Sequence, residues 1–220
     1  LQQFHFVEEI MPNKISAKEA LQRLRQGNQR FSSNMLGGET LLTHDKREQL
    51  LAGQEPFAII LGCSDSRVPA EIVFDQGLGD LFVIRVAGNI VAPSQIGSVE
   101  FAVSQFGTRL VVVMGHSNCG AIGATINELT RGSASPSKNI SSIVERVKPA
   151  IEGLMMTDLK HDHEMLEREA VRANVRASAN HLRHGSEIIE NLINNDGLII
   201  VGAEYSLETG IVDFFDGLPE

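Results

Sequence analysis

A chain of 220 residues with 42% hydrophobic content can bury a sizeable core and is too apolar to be disordered along its length. Nineteen Lys and Arg against 28 Asp and Glu leave a net charge of −9, which gives the chain no electrostatic reason to seek nucleic acid or an anionic membrane. No apolar run approaches the roughly 18 residues that a membrane-spanning helix needs, and two cysteines are too few for a disulfide scaffold.

Residues 1–15 read as an irregular arm. Ser16 and Glu19 then make a capping box, so a helix is predicted, with Ala20, Leu21, Leu24 and Phe31 as its apolar stripe. A second helix is predicted over 43–52. Four short apolar runs follow at 57–62, 81–87, 109–115 and 198–205, with a further edge strand at 211–215. Helical segments separate them at 95–106 and 121–130, and a long helical region covers 140–195, bent near Pro149 and Gly185. Runs without polar alternation mean strands buried on both faces. Strands alternating with helices mean an α/β fold with a mostly parallel central sheet flanked by helices.

No repeat or composition break marks a linker, so 1–220 reads as one domain. An N-terminal arm with helices (1–52) precedes an α/β core (53–220). The sequence opens on Leu1 and carries no recognisable signal peptide. A soluble protein is expected, cytoplasmic, or exported in mature form after loss of a leader.

The chemistry concentrates in two segments. CSDSRVP (63–69) follows the first strand directly, and HSNCG (116–120) follows the third. In a parallel sheet both lie at carboxyl ends of strands, where loops converge on one crevice. Cys63, His116 and Cys119 can thus be neighbours although far apart in sequence. Two thiolates and an imidazole suit zinc, and three protein ligands leave one tetrahedral position open. Taken singly, each cysteine also reads as a buried thiol, the two as a disulfide, and His116 as a structural histidine. Their joint placement beside Asp65 and Arg67 favours a site.

Other features carry less. His161 and His163 flank Asp162, but residues two apart on a helix point away from each other. His44, His181 and His184 read as surface histidines. Gly77 and Gly79 are too few for a dinucleotide fingerprint and read as the turn before the second strand.

With these residues in place, the chain resembles the β-class carbonic anhydrases. CSDSRVP and HSNCG, at this separation, match that family's paired motifs. RVAGN (85–89), GSVEFAV (97–103) and the closing stretch at 202–212 are also similar to it, and the likeness runs from 16 to 213. The resemblance implies reversible hydration of carbon dioxide to bicarbonate and a proton. It implies one zinc per chain on Cys63, His116 and Cys119, with Asp65 and Arg67 as a catalytic pair. It implies that Gln54 points toward substrate across a dimer interface, and that Phe82, Ala87 and Phe101 line the carbon dioxide pocket. The helices of 16–52 would wrap a partner, giving a homodimer or tetramer.

Zinc's part would be to generate hydroxide near neutral pH, an effect for which carbonic anhydrases are the standing example. Two thiolates cancel the metal's formal charge, so Asp65, held by Arg67, is expected to orient the attacking oxygen. In a closed form, favoured at lower pH, Asp65 would itself become the fourth ligand. Some members carry a second bicarbonate pocket built from Trp, Arg and Tyr. Arg85 and Tyr205 match two of those positions, but Ile60 stands at the third. An open site near neutral pH, without strong bicarbonate inhibition, is therefore expected. Two rivals stand beside this reading: hydrolysis of carbon disulfide or carbonyl sulfide on the same scaffold, and a non-catalytic zinc or thiol protein with Asp65 fixed on the metal.

Overall fold

The apolar runs become strands almost residue for residue. The computed structural model describes residues 15–35, 37, 44–132 and 137–219, so all but the end of the expected arm at 1–15 lies outside the described residues. Among these residues, β1 (Ala58–Gly62), β2 (Leu81–Arg85), β3 (Leu110–His116), β4 (Ile199–Tyr205) and β5 (Val212–Asp216) form a five-stranded sheet in the order β2-β1-β3-β4-β5. The first four strands run parallel, and β5 pairs antiparallel with β4 at the edge.

Every residue of β1 and β3 is buried. Strand alternation then sends neighbouring side chains to opposite faces. Ala58, Ile60, Leu110, Val112 and Met114 join one apolar cluster, with Leu24, Phe74, Ile122 and Val147 from the covering helices. Ile59, Leu61, Val111 and Val113 join the other, with Val99, Val103, Leu182 and Ile189. Fully burying a side chain of this size stabilises the fold by about 1.5–3 kcal/mol.

The helices are α1 (Ala17–Ser32), α2 (His44–Gln49), α3 (Ala70–Val73), α4 (Pro93–Gln105), α5 (Gly120–Arg131), α6 (Lys138–Ile151), α7 (His163–His184) and α8 (Glu187–Asn195). The capping box forms at α1: Ser16 Oγ accepts from Glu19 N at 3.3 Å, and Glu19 Oε2 accepts from Ser16 N at 2.8 Å. The second predicted helix is α2 plus a 3-10 turn at Leu50–Ala52. The short α3 was not expected.

The single bent region predicted over 140–195 is instead three α-helices, with two 3-10 turns between α6 and α7. Pro149 does not mark the break, since α6 runs through it to Ile151. The chain restarts where a side chain caps a helix: Thr157 accepts from Leu159 N, Asp162 from Met165 N and Ser186 from Ile189 N. Gly185 ends α7, as expected. Asp162 is therefore a cap, and His161 and His163 do not share a helix. Both are exposed, as are His181 and His184; the His44 side chain lies outside what is described. Gly79, with φ +84, turns the chain into β2.

After β1 the chain crosses to β2 on one side, and it returns to β3 on the other. The loops leaving β1 and β3 thus diverge, and a crevice opens between them at the carboxyl ends. Open α/β sheets bind ligands at this kind of switch point.

Candidate metal centre

Cys63 is the first residue past β1, His116 the last of β3, and Cys119 the N-cap of α5. Parallel pairing of β1 with β3 brings the three to the crevice. Their donor atoms all lie within 4.8 Å of one another, and the residues are 6%, 1% and 2% exposed.

Local backbone structure aims these side chains. Asn118, left-handed with φ +54, turns the 116–120 loop. Ser117 anchors that loop to the end of β4: its N–H donates to Tyr205 O at 3.0 Å, and its Oγ accepts from Leu207 N at 2.9 Å. At the start of α5 the amides of Ala121 and Ile122 point at the Cys119 sulfur. Helix N-termini favour thiolate in this way. The Cys63 sulfur receives the amides of Gly88, at 3.4 Å, and Asp65.

The neighbouring Cys119 thiol draws the Cys63 thiol down against the opposing effect of burial. The same contact and burial push Cys119 up. His116 Nδ1 lies 2.9 Å from Ser117 O and so carries a proton for that carbonyl. This leaves Nε2 as the acceptor. It is buried and has no hydrogen-bond partner. A soft divalent cation satisfies the lone nitrogen and both sulfurs together, so the donor set fits zinc.

Asp65 and Arg67 lie at the mouth. Arg67 Nε donates to Asp65 Oδ1 at 2.9 Å, Nη2 to Oδ2 at 2.7 Å, and the Arg67 backbone N–H to Oδ1 at 3.0 Å. This two-pronged bond holds the Asp65 carboxyl well below the usual carboxylate range. Arg67 Nη2 also donates to Asn118 O at 3.2 Å, tying the two loops together. Asp65 Oδ2 is 3.9 Å from His116 Nε2. Both carboxylate oxygens are thus engaged by arginine.

The expected substrate residues are not all gathered here. Ala87 adjoins the centre, one residue before the amide that meets Cys63. Phe82 and Phe101 lie together, ring centroids 6.3 Å apart, but with Phe106 and in the other apolar layer. Phe101 is 53% exposed on α4. Gln54 precedes β1 and so lies at the opposite end of that strand from Cys63. It is exposed in a groove of about 610 Å³ with Arg23, Leu50 and Gly79.

Arg85 serves this site in a way the motifs did not suggest. Its Nε donates to Cys63 O at 3.0 Å and its Nη2 to Asp65 O at 2.5 Å. Gly88 and Asn118 also went unnoticed. A glycine in RVAGN and an asparagine before Cys119 were the available signals, since both residue types tolerate left-handed backbone.

Two buried sulfurs and one imidazole nitrogen at the carboxyl ends of a parallel sheet make the chain an α/β protein with a donor set compatible with a metal ion. The comparisons narrow this class. Residues 58–212 match the family model described as carbonic anhydrase. The chain is 37% identical over 205 residues to carbonic anhydrase 2 of Mycobacterium tuberculosis strain H37Rv, covering 91% of this chain and 93% of that one. It is 44% identical over 144 residues to the carbonic anhydrase of Mycolicibacterium smegmatis, 64% and 67% of the two chains. The solved structure of the β-carbonic anhydrase CcaA superposes with a TM-score of 0.67 at 28% identity, covering 92% and 94%. The chain belongs to the β-carbonic anhydrase family.

Proposed function

We propose that this chain catalyses the reversible hydration of carbon dioxide at a zinc ion held by Cys63, His116 and Cys119. One observation carries the metal: buried His116, whose Nε2 has no hydrogen-bond partner, offers a ring nitrogen within 4.8 Å of two buried sulfurs. Zinc bound there supplies a Lewis acid able to produce hydroxide near neutral pH.

The chain's own residues do the rest. Asp65, kept ionised by Arg67, accepts hydrogen bonds and does not donate them. It therefore selects an O–H on its side of the crevice and turns that oxygen's free lone pair toward carbon. Arg67 fixes both carboxylate oxygens and keeps Asp65 off the donor set. Ala87 gives the near wall of an apolar pocket. Phe82, Phe101 and Gln54 complete it from a second copy of the chain, in a homodimer or a tetramer of dimers. Exposed Phe101 and Leu51, 53% and 87% accessible, support a covered face. Among the described residues no helix is long and apolar enough to cross a membrane. We place the enzyme in aqueous solution, in the cytoplasm or beyond it.

No observation favours the two rivals, hydrolysis of carbon disulfide or carbonyl sulfide and a non-catalytic zinc or thiol protein with Asp65 fixed on the metal. Metal analysis joined to stopped-flow hydration across pH tests the proposal. One zinc per chain with turnover is expected. A metal-loaded protein inactive at every pH would sink the catalytic reading, and a protein without affinity for zinc would sink both parts.

A further inference from the structure

The Gly88–Cys63 contact rests on a residue outside every motif. Asn174 lies on α7 between Val171 and Val175, and it is 2% exposed. A Cβ at Gly115 would come within 2.9 Å of Val171 and 2.7 Å of Val175, and one at Gly202 within 2.8 Å of Val175. These two glycines let α7 settle on β3 and β4, which fixes the height and rotation of Asn174. Its Nδ2 donates to Gly88 O at 2.8 Å in a buried bond.

Gly88 is left-handed, with φ +69, and Asn89 beside it has φ +42. Left-handed backbone is disfavoured for a residue with a side chain, though least so for asparagine, and is held by its surroundings. On the other side, a Cβ on Gly88 would meet Ala121 of α5 at 3.0 Å. The turn is thus wedged between α5 and Asn174, with the Gly88 N–H aimed at Cys63 Sγ 3.4 Å away.

We propose that Asn174 is a positioning residue for the metal centre: by holding the Gly88 carbonyl it keeps the Gly88 N–H on the Cys63 sulfur, and so reduces the electron density that this thiolate gives to zinc. The inference rests on the zinc reading above. Two thiolates neutralise a divalent metal, so each N–H donated to a sulfur returns positive character to the ion. The effect is larger in a buried site of low local dielectric.

The test uses the full chain loaded with cadmium-113 and, separately, with cobalt. In the native sequence, NMR should show scalar coupling from cadmium through the Cys63 sulfur to the Gly88 amide proton. Asn174→Leu removes the donor at similar volume, with Asn174→Ala as the substitute should leucine prevent folding. The variant should lose at least half of that coupling and shift the sulfur-to-cobalt charge-transfer band. A merely structural asparagine would lower the melting temperature and leave coupling and band unchanged, which would overturn the inference. Cadmium uptake without coupling to Gly88 in the native protein would overturn it alone. No cadmium uptake would overturn the zinc reading with it.

Discussion

The carboxyl end of β1 and β3 and the outer edge formed by β2 and α4 are built on opposite plans. At the first, three donor residues are at most 6% exposed, and their loops are tied to each other and to β4 within one chain. At the second, Phe82, Phe101 and Phe106 meet at tilted or edge-on angles with centroids 5.7–6.3 Å apart, and Phe101 remains half exposed. The three donors come together within a single copy. The aromatic edge and the Gln54 groove are surfaces that a single copy leaves open. The centre should therefore assemble without a partner, while turnover should depend on one.

The largest effect is expected at the closed end. If the proposed zinc supplies the nucleophile, Cys63→Ala or Cys119→Ala should remove it and lower hydration at least about a thousandfold. Metal content and stopped-flow rates check this, and full metal with full turnover in both variants would move the site elsewhere.

Next comes the pair at the mouth. Asp65→Asn should keep zinc and lose about a hundredfold or more in rate, the scale of a positioned proton acceptor. The same variant has a pH signature. The Asp65 carboxyl is held below its ordinary value by the Arg67 hydrogen bonds, so its contribution to stability is present above about pH 4. That contribution is lost as pH falls further toward the depressed value. With both proteins metal-free, the native melting temperature should fall more steeply below about pH 4 than that of Asp65→Asn. Parallel curves would mean that the ion pair does not shape acid stability.

Sequence and structure agree unevenly along the same division. β1, β3 and β4 were legible because buried parallel strands are unbroken apolar runs, and each motif directly follows one. The triad was legible for the same reason, since strand ends fix where the next residue goes. The 140–195 region was misread because helical periodicity survives a short 3-10 turn. The restarts depend instead on single capping residues such as Thr157 and Asp162. Asn174 was hidden because it and Ser178 are the polar members of an otherwise apolar stripe, and its partner is a backbone carbonyl 86 positions away. Phe82 and Phe101 came from family likeness alone, and within one chain they pack in the apolar layer away from the donor set.

A smaller effect is expected at the open edge. Phe101→Lys puts a charge into the face that a second copy would cover. A substitution at a buried interface anchor costs about 2 kcal/mol, some 30-fold in association. Ultracentrifugation should show dissociation at concentrations where the native protein associates, with zinc content unchanged and turnover reduced in step. An active monomer would break the contrast between the two regions. Loss of zinc along with the partner would break it from the other side.

The smallest effect is expected at Arg85, which ends the edge strand β2 but reaches into the metal end. If bicarbonate inhibited through a pocket at Arg85 and Tyr205, the guanidinium would have to leave the Cys63 and Asp65 carbonyls that it now holds at 3.0 and 2.5 Å. Those carbonyls would then lose their charge-assisted donors. Tyr205 is 5% exposed, with its ring 6.3 Å from that of Phe31. Ile60 is fully buried mid-strand and offers no side-chain donor where a tryptophan would supply one. Arg85 and Tyr205 also end strands separated by β1 and β3, about 14 Å at the usual strand spacing. An anion there would give up two good hydrogen bonds for one partner and a buried phenol. Hydration rates should accordingly show simple, non-cooperative product inhibition by bicarbonate near neutral pH. Adding bicarbonate should leave the thiolate-to-cobalt spectrum of the substituted protein without a sigmoidal transition. Sigmoidal inhibition that disappears in Arg85→Ala would show instead that the clamp releases, and that the edge strand controls the metal end.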